Sequence, residues 1–447
     1  MQAEPDRSEG DINLGARRRD WQATHLDATS RALLDEDARW FFHQSMSTPC
    51  LNVLESAHGA WLTDLAGRRI LDFHGNSLHQ VGYGHPKVVA ALRETLDTLP
   101  FSPRRYTNRP AIELARRLCQ AAPIEDAKLL FAPAGTAAIG MALKLARVAT
   151  GRFKTLSMWD AFHGASLDAI SIGGEAVFRR GIGPLLPGSE HVPPCDPGQC
   201  VFGCNGQCSL RCVDYIDYCL RREGDVGAVI VETVRSTDVQ LPPPDYFRRL
   251  REICTRHGAL LILDEIPIAL GRTGKLFAIE HYGIEADMIV IGKGLGGGAM
   301  PLAALIAHAR FDCSQHISLG HYTHEKSPLA CAAGLAVLDV IEEENLLERS
   351  ARLGDEAIDF LRTTLGGRVA EVRGRGLLIA IELNAGAHRS AEDIAEAVLY
   401  RCLDEGISFK IGQGKVLVLA PPLNIDEADL RWALTRIAAA VNDETGA

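Results

Sequence analysis

Lys293 stands in Gly292-Lys293-Gly294-Leu295-Gly296-Gly297-Gly298, directly after the apolar run Met288-Ile289-Val290-Ile291. An amine framed by glycines at the end of a buried strand can lose part of its hydration, which favours its neutral, nucleophilic form. A phosphate-binding lysine is the competing chemistry, but the Gly-Lys-Ser/Thr spacing of a P-loop is absent. Asp264 and Glu265 close a second apolar run, 259–264, where a carboxylate is costly unless it meets a partner. Gly135 and Thr136 follow a third run, 128–132, and open a helical pattern. Free backbone N–H groups and the helix dipole there suit an anion, although a plain helix cap would use the same residues. Phe162 and His163 follow the run 155–158 and set an aromatic ring and an imidazole at the same edge, though a phenylalanine alone serves equally well as core. Glu232 ends the run 228–232.

These residues share one position, just past an apolar run. Helical patterns fall between most of the runs, for example at 136–149 and 244–257, after earlier ones at 86–99 and 111–122. That alternation predicts an α/β fold with a mainly parallel sheet covered on both faces. Ligands of such sheets bind outside the carboxyl ends of the strands, where the polar residues collect. Residues 51–72 read as short antiparallel strands around a turn at Asp64-Leu65-Ala66-Gly67. The stretch before about residue 49 reads as a mobile start followed by a helix. Beyond Pro328 a helix at 329–344 leads to helices at 351–365 and 391–405 around strands at 377–383 and 416–419, a smaller α+β domain. The expected division is therefore an N-terminal segment, 1–70, that belongs with the small domain, a large domain, 71–328, and a C-terminal small domain, 329–447.

The chain has 447 residues, 47% hydrophobic and 23% charged, with a net charge of −10. An acidic chain without a basic stripe is a poor partner for nucleic acid or an anionic membrane. No run approaches the roughly 20 apolar residues of a membrane helix, and residues 1–20 lack the apolar core of a signal peptide. A cytoplasmic location follows as the expectation. The 12 cysteines then read as free thiols or a metal site rather than disulfides.

A lysine, an acid, an aromatic ring and an anion nest at neighbouring strand ends form the set that pyridoxal phosphate requires. No single element is specific; the combination is. On these residues the chain resembles the class III pyridoxal-phosphate aminotransferase family from about Leu51 to the C-terminus. The most specific stretches are 263–274, 291–298 and Ser327-Pro328-Leu329-Ala330-Cys331-Ala332-Ala333. The resemblance implies the type I fold of pyridoxal-phosphate-dependent transferases, with a seven-stranded, mainly parallel sheet. It makes Lys293 the lysine that carries the cofactor and Asp264 the partner of the pyridine nitrogen. It stacks Phe162 on the ring, sets His163 and Glu232 beside the cofactor, and gives Gly135 and Thr136 to the phosphate. Thr323 would reach the phosphate of a neighbouring subunit, which implies a homodimer with the site at its interface.

The departures carry information too. The family's Ser-Gly-Ser/Thr-Glu-Ala reads Ala134-Gly135-Thr136-Ala137-Ala138, and its Asp-Glu-Val-Gln reads Asp264-Glu265-Ile266-Pro267. Val418 occupies the position of the arginine that grips a substrate α-carboxylate. An Arg–carboxylate clamp is a strong bidentate contact, so its loss weakens the case for a 2-oxo acid acceptor. Cationic residues stand elsewhere: Arg104, Arg105, Arg235, His324 and Lys326. They suit a dianionic phosphonate or phosphate, or are simply solvated surface charges. The pattern, including 72–80 and 101–108, resembles a branch of the family that removes ammonia from a hydroxylated aminophosphonate. It implies a lyase in which Lys293 takes a proton from the amine-bearing carbon and Lys293 or His163 protonates the departing hydroxide. The alternative is a transaminase that uses an amine or aminophosphonate donor with a 2-oxo acid.

Cys195, Cys200, Cys204, Cys208, Cys212 and Cys219 fall in one segment. The middle four recur every fourth residue, but Pro197, Gly203 and Gly206 oppose a helix in the first half. The spacing lacks the paired arrangement of common zinc sites, so no metal is expected there.

Overall fold

The computed structural model describes residues 15–44, 47–204 and 208–446. The chain divides into two units, one of residues 86–236 and 240–343, the other of residues up to 85, 237–239 and from 344 onward.

The first unit is built on a seven-stranded sheet. Its strands lie in the order Ala127–Ala132, Ala303–His308, Met288–Ile291, Leu260–Asp264, Val226–Glu232, Lys154–Met158 and Ser189–Val192. Ala303–His308 runs antiparallel to both neighbours, and the remaining adjacent pairs are parallel. The strands Val226–Glu232, Leu260–Asp264 and Met288–Ile291 are buried at every position. This explains why they read as unbroken apolar runs rather than alternating ones. The helix Gly135–Thr150 presses Ala138, Ile139, Ala142 and Leu145 into the core beneath Ile230, Ile262 and Val290. It ends at Gly151, whose φ of 67° closes a left-handed cap. Tyr246–His257 ends the same way at Gly258, with Arg256 and His257 in its last turn, where cations complement the dipole.

Two strands of this sheet are invisible in the apolar pattern. Ser189–Val192 lies at the sheet edge and buries only Val192 fully. Ala303–His308 reads Ala-Ala-Leu-Ile-Ala-His, and alanine has little strand preference; pairing on both sides, not propensity, makes it a strand.

The second unit holds two four-stranded sheets. One pairs Leu54–His58, Trp61–Asp64 and Arg69–Asp72 in the antiparallel manner expected and adds Ile407–Ser408 in parallel. The other is ordered Val369–Arg375, Leu378–Leu383, Val416–Leu419, Lys410–Gly412. The single helix expected near the start is two, Ala16–His25 and Ala28–Trp40, because Asp27 caps the second through the Ser30 N–H at 2.7 Å. The mobile start expected before them lies largely outside the described residues. Helix Leu346–Leu365 starts five residues before the expected 351, after Asn345 in a left-handed conformation. No helix among the described residues is long and apolar enough to cross a membrane.

Candidate active site

The parallel register sets Glu232 directly opposite Asp264 at the ends of neighbouring strands. Both are buried. Asp264 is well supported: its Oδ2 lies 2.8 Å from His163 Nδ1, and its Oδ1 accepts the Ile266 N–H at 3.0 Å. His163 Nε2 lies 3.3 Å from Ser157 Oγ. Each nitrogen of this buried ring therefore has a partner behind the carboxylate. This corrects the expectation that His163 could protonate a leaving group, because the ring braces Asp264 instead. Glu232 is poorly supported. Its Oε1 meets only the Ser236 N–H, at 3.5 Å, and its Oε2 has no hydrogen-bond partner. Burial first, and the charge of Asp264 second, push its acidity constant well above the ordinary glutamate value.

Gly135 starts its helix after Ala134, which caps with no side-chain hydrogen bond. A Cβ on Gly135 would come within 2.8 Å of Ile266 Cδ1, so only glycine fits this close passage of helix and sheet edge. Thr136 is hydrogen-bonded to Ser166 through its hydroxyl, which also accepts the Ser166 N–H at 3.1 Å. Gly164 approaches Thr136 so closely that a Cβ would lie 2.6 Å from the threonine Cβ. Phe162 is half-buried, with its ring centroid 4.4 Å from that of Phe178.

Lys293 comes three residues after Val290, the register partner of Asp264. Its φ of 46° places it in the left-handed region, a strained backbone for a side-chain-bearing residue. The expected burial is not found. Lys293 is exposed, because the strand ends at Ile291 and the chain turns outward at Gly292 into the short helix Lys293–Gly296.

The predicted cations separate into two groups. Arg235 is buried and ion-paired to Asp196 at 2.8 Å, close enough to Glu232 to lower its acidity constant in part. Arg104, Arg105, Thr323, His324 and Lys326 are exposed. Their two segments nevertheless meet. Arg104 Nη2 lies 2.7 Å from His321 Nε2, Asn108 donates to the Lys326 carbonyl at 2.8 Å, and Phe101 packs edge-on against His324 at 5.5 Å. Lys326 also has a positive φ, 51°. Val418 is buried in the strand Val416–Leu419 of the other unit.

Sequence reasoning missed Ser157, Ser166 and Asp196. The two serines give no signal beyond hydrogen-bonding capacity. Asp196 does give one: Asp196-Pro197-Gly198 is a turn signature, and the Gly198 and Gln199 N–H groups indeed donate to its Oδ1 at 3.1 and 3.0 Å. The segment in which no metal was expected brings Cys195, Cys208 and Cys212 together.

The family model for class-III aminotransferases matches residues 42–441, and the chain belongs to that family. The (R)-1-hydroxy-2-aminoethylphosphonate ammonia-lyase of Vibrio splendidus (strain 12B01) is 46% identical, over 97% of this chain and 95% of its own length. A leucine/methionine racemase of Thermococcus litoralis is 34% identical over 92% of this chain and 95% of its own. Among solved structures, a Bacillus anthracis aminotransferase superposes with a TM-score of 0.86 at 28% identity, covering 94% of this chain and all of that one. A lyase, a racemase and an aminotransferase on one scaffold mean that the fold does not decide the reaction.

Membership makes this a pyridoxal 5'-phosphate enzyme. The residues present fit that group. Asp264 is a buried carboxylate with braced geometry, Glu232 Oε2 is a buried oxygen without a hydrogen-bond partner, and no capping side chain occupies the start of the helix at Gly135.

Proposed function

We propose that the protein removes ammonia from (R)-1-hydroxy-2-aminoethylphosphonate and yields phosphonoacetaldehyde. The observation that carries this reading is the near full-length match to the Vibrio splendidus lyase. Val418, at the position where the family holds its carboxylate-gripping arginine, agrees with it, because this reaction needs no oxo-acid partner.

The proposed roles are those the family resemblance implies, and the burial and bracing of Asp264 support them. Asp264, fixed by His163 and the Ile266 N–H, holds the pyridine nitrogen protonated. Glu232 faces the ring hydroxyl, Phe162 covers the ring, and Gly135 and Thr136 take the phosphate at the helix start. Lys293 would hold the cofactor at rest and be freed when the substrate amine takes its place, and the cofactor would then supply a sink for the electron pair left when a proton leaves the amine-bearing carbon. The Lys293 amine takes that proton and returns it to the hydroxide that departs from the neighbouring carbon as water. The released enamine tautomerises, and water cleaves the resulting imine to the aldehyde and ammonia. The sum is substrate to phosphonoacetaldehyde plus ammonia, with one water lost and one regained.

In this reading the exposed pair of segments 101–108 and 321–326 belongs to a homodimer interface. Thr323 serves the neighbouring subunit's phosphate, and Arg104 and Lys326 attract the phosphonate. Arg235 acts at one remove, since its ion pair with Asp196 steadies the pocket wall beside Glu232. In this reading the cofactor-binding domain is the unit of residues 86–236 and 240–343 and the smaller one holds residues up to 85, 237–239 and from 344 onward, which moves each of the expected boundaries, 70/71 and 328/329, by 15 residues. All 12 cysteines are free thiols, which supports a reducing cytoplasm as the working location.

Purified protein given the hydroxylated phosphonate and no 2-oxo acid should release ammonia and phosphonoacetaldehyde in equal amounts. Silence in that assay, together with L-alanine formed from pyruvate and an amine donor, would establish a transaminase instead.

A further inference from the structure

The cysteine segment lies outside the chemistry just described, and its sulfurs converge. Cys195, Cys208 and Cys212 place their Sγ atoms within 4.8 Å of one another. The Cys195–Cys208 distance is 3.8 Å. Disulfide sulfurs lie about 2.05 Å apart, so this is no disulfide. Tetrahedral zinc with Zn–S bonds of about 2.3 Å sets its sulfurs about 3.8 Å apart, which is the separation seen. Cys204 is not among the three sulfurs that converge; four residues before Cys208, it is the thiol assigned as fourth ligand.

Backbone N–H groups meet two of these sulfurs. The Ser209 N–H points at Cys204 Sγ at 3.5 Å, and the Leu210 N–H at Cys208 Sγ at 3.4 Å. Cys212 sits in the first turn of the helix Arg211–Glu223, where the dipole favours negative charge. Arg211, next to Cys212 in sequence, reaches back over the same loop to the Phe202 carbonyl at 3.3 Å. Cys195 and Cys212 are buried, which shields a closed, structural site from solvent.

We propose that Cys195, Cys204, Cys208 and Cys212 bind one zinc ion in a structural tetrathiolate site. Each ligand thiol gives its proton to solvent as the metal binds, and no redox step is involved. The spacing escapes the usual paired pattern because one ligand precedes the loop, two lie within it and the fourth opens the helix. The site also adjoins the active-site wall. Cys195 precedes Asp196, the partner of buried Arg235, and Cys195, Glu232 and Arg235 line one small pocket. The metal thereby anchors the loop that carries Asp196.

The test is metal analysis of the full-length holoenzyme, made in zinc-containing medium and purified without added metal or chelator. About one zinc per chain is expected, with no acid-labile sulfide. Cys208→Ser should lower the zinc content at least about tenfold while the cofactor absorbance stays. Cys313→Ser, at an exposed thiol outside the segment, should leave it unchanged. Should Cys208→Ser prove insoluble, wild-type protein produced in cobalt decides by the strong visible ligand-field bands of a tetrahedral thiolate. The proposal is overturned if the wild-type protein stays free of zinc after dialysis against it, if the metal found is iron with sulfide, if both variants hold equal zinc, or if the cobalt protein lacks those bands.

Discussion

Glu232 gives the sharpest test of the pocket's electrostatics. It is only 5% exposed, lies beside Asp264, and has its acidity constant raised well above the usual value by burial first and by that neighbour second. Such a carboxyl keeps its proton in the folded chain after the unfolded chain has released its own. Stability attributable to Glu232 is therefore fully present below the ordinary glutamate value of about 4.3. It falls as pH rises and stops falling once Glu232 itself ionises in the folded protein. Within that window the slope is about 1.4 kcal/mol per pH unit. Unfolding 447 residues at about 2.1 cal/mol/K each gives roughly 0.9 kcal/mol/K, so the slope corresponds to about 1.5 °C in melting temperature per pH unit. Glu232→Gln has no proton to lose, and its amide adds a cost that does not vary with pH. The measurement is thermal unfolding of the cofactor-free wild type and the variant in steps from about pH 5 to about pH 7. The wild-type midpoint should fall relative to the variant by about 1.5 °C per pH unit until Glu232 ionises in the folded chain. Parallel curves would show that Glu232 is already ionised in the folded chain and would refute the reasoning.

Lys293→Ala should leave protein that retains no covalently held cofactor, seen as loss of the visible absorption band. Its turnover should fall by at least about 10²- to 10⁴-fold from the missing acid–base group alone. His163→Phe removes the donor to Asp264 Oδ2, a charge-assisted bond worth about 1.5–3 kcal/mol. Cofactor affinity should drop by roughly 10- to 150-fold in equilibrium titration, with the fold kept by circular dichroism. Gly135→Ala forces its methyl against Ile266 Cδ1 at 2.8 Å and should cost about 1–3 kcal/mol in thermal unfolding, with weaker cofactor retention. Arg235→Ala leaves Asp196 buried without its cation and should destabilise by about 3–5 kcal/mol. The double variant Arg235→Ala with Asp196→Asn should recover much of that loss, and if it is no more stable than the single variant the pairing argument fails.

What the sequence made legible followed from burial on two faces. The runs ending at Asp264, Glu232 and Ile291 could be read because a strand covered on both sides has no polar position to spare, so the first polar residue marks its end. The same logic located Gly135, Phe162, His163 and Lys293 at one edge. It failed where a structural fact depends on a distant partner. Ala303–His308 becomes a strand through its neighbours on both sides. His163 reads as a free imidazole until Asp264, 101 residues away, and Ser157 take up its two nitrogens. Arg235 reads as a substrate cation until Asp196, 39 residues earlier, claims it. Local pattern fixes what an element is made of, whereas pairing across the chain decides what its charges are free to do.

The retained and the missing residues divide along a chemical line. In the proposed roles Lys293, Asp264 and the bracing His163 manage a proton and a ring nitrogen, as a reaction that begins by deprotonating an amine-bearing carbon requires. The arginine absent at Val418 and the glutamine absent at Pro267 serve other ends, the first a carboxylate and the second the surroundings of the ring hydroxyl. A transaminase must grip an amino acid and then an oxo acid, so it cannot easily surrender the first of these. An eliminating enzyme can, because its substrate brings its own leaving group and the cofactor returns unchanged. A phosphonate is tetrahedral and doubly charged, and both guanidinium forks and ammonium groups bind such an anion. Lys326, whose backbone carbonyl accepts from Asn108, is one of the exposed cations proposed to attract it. Under the proposed roles, loss of the carboxylate clamp is the change expected when a scaffold built for acceptor binding passes to a substrate that needs no acceptor.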